Sequence, residues 1–176
     1  MQRHVDLAKG ADQPGTRVAG WSVQHLPGAF GTCWTQRFAN GRGMRLALTR
    51  YAPVHDFVEE SHQTERARTL TITLALDGDS GYTGTGGTSL RFRRGFTTVA
   101  ASRATVGERH FSAHSPVVQL RIAVDESELA HYVGADRADA LLGEKQLQEL
   151  AFHPTASGCL GHARALVRLA RSTSAD

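Results

Sequence analysis

Between Arg66 and Leu76 the chain reads Arg-Ala-Arg-Thr-Leu-Thr-Ile-Thr-Leu-Ala-Leu. Leu70, Ile72, Leu74 and Leu76 share one parity, and Thr69, Thr71, Thr73 and Ala75 share the other. Successive side chains of a strand point to opposite faces, so this alternation predicts a strand with one buried face. Asp77-Gly78-Asp79 then supplies residues that tolerate turn geometry. Val118 to Val124 repeats the pattern with Val118, Leu120, Ile122 and Val124, and Arg45 to Tyr51 repeats it with Leu46 and Leu48. Three such strands separated by Gly-rich turns predict a β-sandwich or barrel with an aliphatic core.

Shorter strands are predicted around Trp21, over 32–38, around Tyr82, and over 89–92, 96–100 and 108–112. Many short strands at this spacing argue for a mainly β barrel. Asn40-Gly41-Arg42-Gly43 marks a turn before the Arg45 strand. After Asp125 the pattern changes period. Acids in a first turn predict a short helix over 126–133, stopped by Gly134. A second helix is expected from Arg137 to Phe152, ended by His153-Pro154, with Gly143 as its weak point. Leu160, Ala163, Leu166, Val167 and Ala170 recur at helical spacing and predict a last amphipathic helix over 160–170. The division that follows is a flexible arm over 1–16, a barrel over 17–125 and a helical segment over 126–176 that packs on the barrel or on another subunit.

The 176 residues suffice for one domain with a sizeable core. Net charge is +3, with the basic residues scattered except for Arg91, Arg93 and Arg94. That balance allows an acidic ligand without requiring nucleic acid. Cys33 and Cys159 lie far apart and outside any zinc-type spacing, which suits free thiols in a reducing compartment. Neither a signal-peptide pattern nor a membrane-length apolar run is present, so a cytoplasmic location is the default expectation.

Nine histidines raise the question of a metal. His110 and His114 fall on one side of a strand but about 13 Å apart by strand rise, too far to share one ion on a straight backbone. Parity offers another grouping. With the aliphatic parity taken as inward, His62 and Arg66 follow Leu70, His110 and His114 follow Val118, and Arg50 follows Leu46. Polar side chains on an inward phase near strand ends belong at a barrel mouth, where a ligand is met. The competing reading is that a bulge breaks the phase and these groups are solvated. Trp34, with Trp21 and Tyr82, is a candidate for stacking on an aromatic ligand, against the plainer role of a core aromatic. The ligand-binding candidates are therefore Trp34, Arg50, His62, Arg66, His110 and His114. No Gly-x-Ser-x-Gly elbow or Ser-His-Asp grammar is legible, and a non-enzymatic role is expected.

Gly43-Met44-Arg45-Leu46, the 70–79 strand and turn, and Val118-Val-Gln-Leu-Arg-Ile-Ala-Val-Asp-Glu followed by helix together carry a resemblance over roughly residues 40–170. The chain resembles the N-terminal sensing domain of AraC-type transcription regulators, in the siderophore-responsive, pyochelin-regulator-like branch. The resemblance implies a cupin-like barrel that holds a small-molecule effector, with helices that form a homodimer. It implies no built-in cofactor, and an iron chelate, a ferric siderophore, as the effector. Such regulators carry two helix-turn-helix units after the sensor. None follows Ala170 here, so the expectation is a truncated sensor that meets DNA only through a missing C-terminal domain, with no membrane partner. The alternative is a stand-alone cupin-type metalloenzyme or metal-binding protein using His62, His110 and His114.

Overall fold

The computed structural model describes residues 3–6, 17–18, 21–62 and 67–172. Its strands in chain order are β1 (Arg3–Asp6), β2 (Arg17–Val18), β3 (Trp21–His25), β4 (Gly31–Ala39), β5 (Met44–Pro53) and β6 (Phe57–His62). They continue with β7 (Thr69–Asp77), β8 (Ser80–Gly84), β9 (Ser89–Phe92), β10 (Phe96–Ser102), β11 (Val106–Phe111) and β12 (Val117–Asp125). Helices α1 (Glu126–Val133) and α2 (Ala135–Leu142), strand β13 (Leu147–Pro154) and helix α3 (Ser157–Ser172) complete the described chain.

The strands form two sheets, ordered β1-β6-β11-β8-β9 and β13-β10-β7-β12-β5-β4-β3-β2. From β5 to β12 the chain crosses between them so that β6-β11-β8-β9 faces β5-β12-β7-β10. That eight-strand order is a double Greek key, the jelly roll of cupin-like barrels. The protein is thus mainly β, a cupin-like barrel followed by C-terminal helices. β1, within the stretch predicted as an arm, pairs in parallel with the edge strand β6, with Arg3 opposite Phe57 and Asp6 opposite Glu60.

Which face of the larger sheet turns inward is the main difference from the sequence reading. Leu74 and Leu120 pack with Ala163 of α3, joined by Leu46, Ile72 and Leu76. Leu70 and Val124 pack with Leu129 of α1 and Ala138 and Leu142 of α2. The aliphatic parity is therefore the outer one, and the C-terminal helices cover it. Gln36 lies on the same outer face and its side-chain amide donates to the Ala170 carbonyl at 3.1 Å. The interior is filled in two places. Tyr51, Phe57 and Phe111 stack at one end, with ring centroids 4.8 to 5.8 Å apart. Tyr82, Leu90, Phe92, Ala100 and Leu147 form a second cluster.

α1 begins where Asp125 accepts the Glu128 N–H at 2.9 Å, with Glu126 and Glu128 in the first turn, where the helix dipole favours acids. Gly43 sits under this cap. A Cβ there would run into the Asp125 carboxylate, and its φ of +118° is a conformation side chains rarely adopt. Arg68, just ahead of β7, ties the sheet to both helices, reaching Glu126 at 3.0 Å and Asp139 at 2.7 Å.

The helix expected over Arg137–Phe152 stops at Leu142. Gly143 takes φ +54° and donates its N–H to Asp139 at 3.0 Å, which closes the helix. The chain beyond then pairs antiparallel with β10 as β13. Leu147 and Leu150, three apart as on a helix stripe, lie on opposite faces of the sheet, Leu147 inside and Leu150 under the helices. No helix among the described residues is long and apolar enough to cross a membrane.

Candidate functional site

Between the sheets lies a cavity of about 950 Å³. The larger sheet supplies its wall through the polar parity. One rung of aligned residues crosses five strands as Arg37, Ala47, Arg121, Thr73 and Thr98. The rung beside it carries Ala39, Arg45, Ala123, Thr71 and Ala100. Alanines between the long side chains leave the room that the cavity occupies. The smaller sheet answers with Arg109 beside Tyr82, which pairs in turn with Leu90. A Cβ at Gly107 would come within 2.5 Å of the Tyr82 hydroxyl, so this glycine makes the space in which the phenol lies.

Four arginines (Arg37, Arg45, Arg109 and Arg121) line this space, and no acidic residue does so among the described residues. Their settings differ. Arg37 donates to the Gln24 amide oxygen at 2.6 Å, a neutral partner. Arg109 is 9 % exposed and lies over the Phe92 ring at 5.3 Å. Burial pulls its pKa down, while the charge of Glu59, its neighbour on β6, holds it up. Glu59 in turn accepts the Tyr51 hydroxyl at 2.6 Å, and Thr35 links to both Tyr51 and Thr49 at 3.3 Å. This polar layer lies between the aromatic plug and the cavity. Arg121 has neither kind of partner: its Nε and Nη2 are buried and unpaired. The Tyr82 hydroxyl and the Thr69 hydroxyl are also buried and unpaired. Buried polar atoms are paired in the great majority of cases, so these orphans, on three residues that line the cavity, are exceptional.

The residues anticipated from parity fall mostly elsewhere, because the phase is inverted. His62, the last residue of β6, reaches the rim of the cavity, 3.8 Å from the Glu60 carboxylate. Trp34 and Arg50 are register partners on the outer face of β4 and β5. His110 is on the outer face of β11, 3.7 Å from Glu108. His114 is exposed in the following turn, at φ +58°, its N–H donating to the Pro53 carbonyl at 2.8 Å. Arg66 lies outside the described residues. Trp21 and Tyr82 do line the cavity, whereas Trp34 does not. His62 and His110 stand four residues apart in the β6–β11 register, about 13 Å by strand rise, so the candidate metal trio does not converge. No group of three or more potential metal ligands occurs among the described residues.

The signal for the missed arginines is in the sequence. Arg121 interrupts Val-Val-Gln-Leu-Arg-Ile-Ala-Val, a strand with apolar neighbours on both sides. A charged residue at the middle of a central strand faces either solvent or a polar cavity, and here it is the cavity.

Fold and site together define a jelly-roll barrel with an arginine- and threonine-lined internal cavity. No protein-family model matches the chain, and no curated protein matches it in sequence. Solved structures of similar shape include an RmlC-like cupin protein from Desulfovibrio desulfuricans, with 15% identity and TM-score 0.36, over 52% of this chain and 81% of that one. Protein YhaK from Escherichia coli is similar at 15% identity and TM-score 0.41, over 70% of this chain and 52% of that one. The AraC-like transcriptional activator CuxR is similar at 9% identity and TM-score 0.47 over 87% of this chain, which spans 52% of CuxR. The fold assignment rests on the strand order of this chain rather than on these likenesses.

Proposed function

We propose that the chain is the effector-sensing and dimerisation domain of an AraC-type transcription regulator, and that its effector is a small organic anion held between the two sheets. The observation that carries this reading is the cavity wall: four arginines, inward threonines and unpaired buried polar atoms, with no acid lining the space among the described residues. An interior polarised in this way costs stability unless something polar meets it, and a ligand that binds only the folded state raises the stability of that state. An iron chelate with carboxylate or phenolate arms, a ferric siderophore, belongs to the same chemical class. The role is binding without turnover. DNA would be reached through a further domain, and dimerisation through the helical segment.

The test is a thermal-shift and tryptophan-quenching titration against ferric siderophores, free ferric iron, sugars, aromatic acids and dicarboxylates. Trp21 on the cavity wall is the reporter. The expected result is stabilisation by one anionic organic ligand or chelate, recovered chemically unchanged. Tight binding of bare iron with no organic ligand would instead favour a metal-binding protein, and a panel without any response would overturn the sensor.

A further inference from the structure

Resting on that reading, we infer that Arg121 is the anchor of the ligand and that it takes a group with two oxygens on one centre, a carboxylate or a phosphate. The two orphaned atoms, Nε and Nη2, form one edge of the guanidinium plane. That edge presents two parallel N–H donors, the fork that grips paired oxygens and that an ammonium cannot reproduce. The surroundings agree. Arg121 stands on the central strand β12, between Ala47 and Thr73 in register, so its neighbours on the rung are a small side chain and a hydroxyl, with no acid between them. Arg37 lies on the same rung beyond Ala47, and it donates to a neutral amide, that of Gln24. On the facing sheet, Arg109 is spoken for by Glu59, but Tyr82 offers an unpaired hydroxyl. Two guanidinium charges on one rung thus meet no acid among the described residues, and a ligand carrying two negative charges balances them. A neutral sugar would leave both unmet.

Isothermal titration of the full chain with succinate, inorganic phosphate and glucose tests this, the first two arms separating carboxylate from phosphate. The variants are Arg121→Lys, Arg121→Met and, as a control on the outer face, Arg50→Met. The wild type is expected to bind one of the anions at one per chain and to ignore glucose. Arg121→Lys, which keeps the charge and loses the fork, weakens that binding at least tenfold. Arg121→Met abolishes it, and Arg50→Met leaves it unchanged. The melting temperature of ligand-free Arg121→Met rises, because two buried donors without partners have been removed. Equal binding by wild type and Arg121→Lys would overturn the fork. So would glucose binding without anion binding, or no binding of any of the three at millimolar concentration. Should Arg121→Met fail to fold, the lysine variant still decides. A neutral compound from the wider panel that stabilises wild type and Arg121→Met alike would leave the sensor standing and sink the anchor.

Discussion

Glu59 is asked to do two things at once. It accepts the Tyr51 hydroxyl and it offsets the charge of Arg109, all within a layer sealed from solvent by the aromatic plug. Burial first, and then the neighbouring carboxylate, hold the Tyr51 pKa well above the usual tyrosine value. The unfolded chain releases this proton near pH 10, the folded chain only at higher pH, so Tyr51 contributes stability below pH 10 that is lost as pH rises beyond it. Urea unfolding between pH 7 and 11.5 should show an alkaline fall in stability that Tyr51→Phe flattens. The same variant should cost about 1–3 kcal/mol at pH 7, since Glu59 loses a buried donor. At this scale the sequence is a poor guide. Nothing around Tyr51, Glu59 or Arg109 marks them as partners, because they come from three strands and meet through register alone. Of the five residues singled out by parity, four lie among the described residues, and of these His62 reaches the cavity rim, which follows from its place at a strand end.

The strands themselves are legible. The alternations at 70–76, 118–124 and 45–51 correspond to β7, β12 and β5, the three adjacent strands at the middle of the larger sheet. Their inward side is not legible from period alone. A two-residue repeat says that the faces differ, not which one meets solvent, helix or cavity. Threonine and arginine read as a wet face, and a polar cavity is such a face folded inward. Leu74 and Thr73 test the assignment directly. Leu74→Ala should destabilise the protein by about 2–4 kcal/mol, the cost of a hole beneath α3, and leave ligand affinity nearly unchanged. Thr73→Val should do the reverse, altering ligand affinity with little loss of stability. Chemical denaturation paired with the effector titration reads both, and an exchange of the two outcomes would return the aliphatic face to the interior. β13 escaped detection for a related reason: Leu147 and Leu150 satisfy a helical spacing, and only the positive φ of Gly143 and the open edge of β10 turn the segment into a strand.

As a whole, the molecule carries its helices on the aliphatic face of the larger sheet, the face that the sequence reading placed inside. α3 seats Ala163 on Leu74 and Leu120, and its Ala170 carbonyl receives the Gln36 amide. A chain ending at residue 155 should therefore show an exposed apolar face: a lower melting temperature, binding of a hydrophobic dye and concentration-dependent association. Unchanged melting would mean that α3 is an appendage. The mainly β class and the position of the helices after the barrel were readable from the change of period near Asp125. The mutual dependence of the two parts was not, since it comes from which parity points outward. That inversion has a mechanical consequence. Along β7 the residues that touch the cavity and those that seat the helices alternate, so Thr73 and Leu74 are separated by a single peptide link. The sheet is a diaphragm one backbone thick, so a load placed on it from inside should reach the helices without any intermediate part.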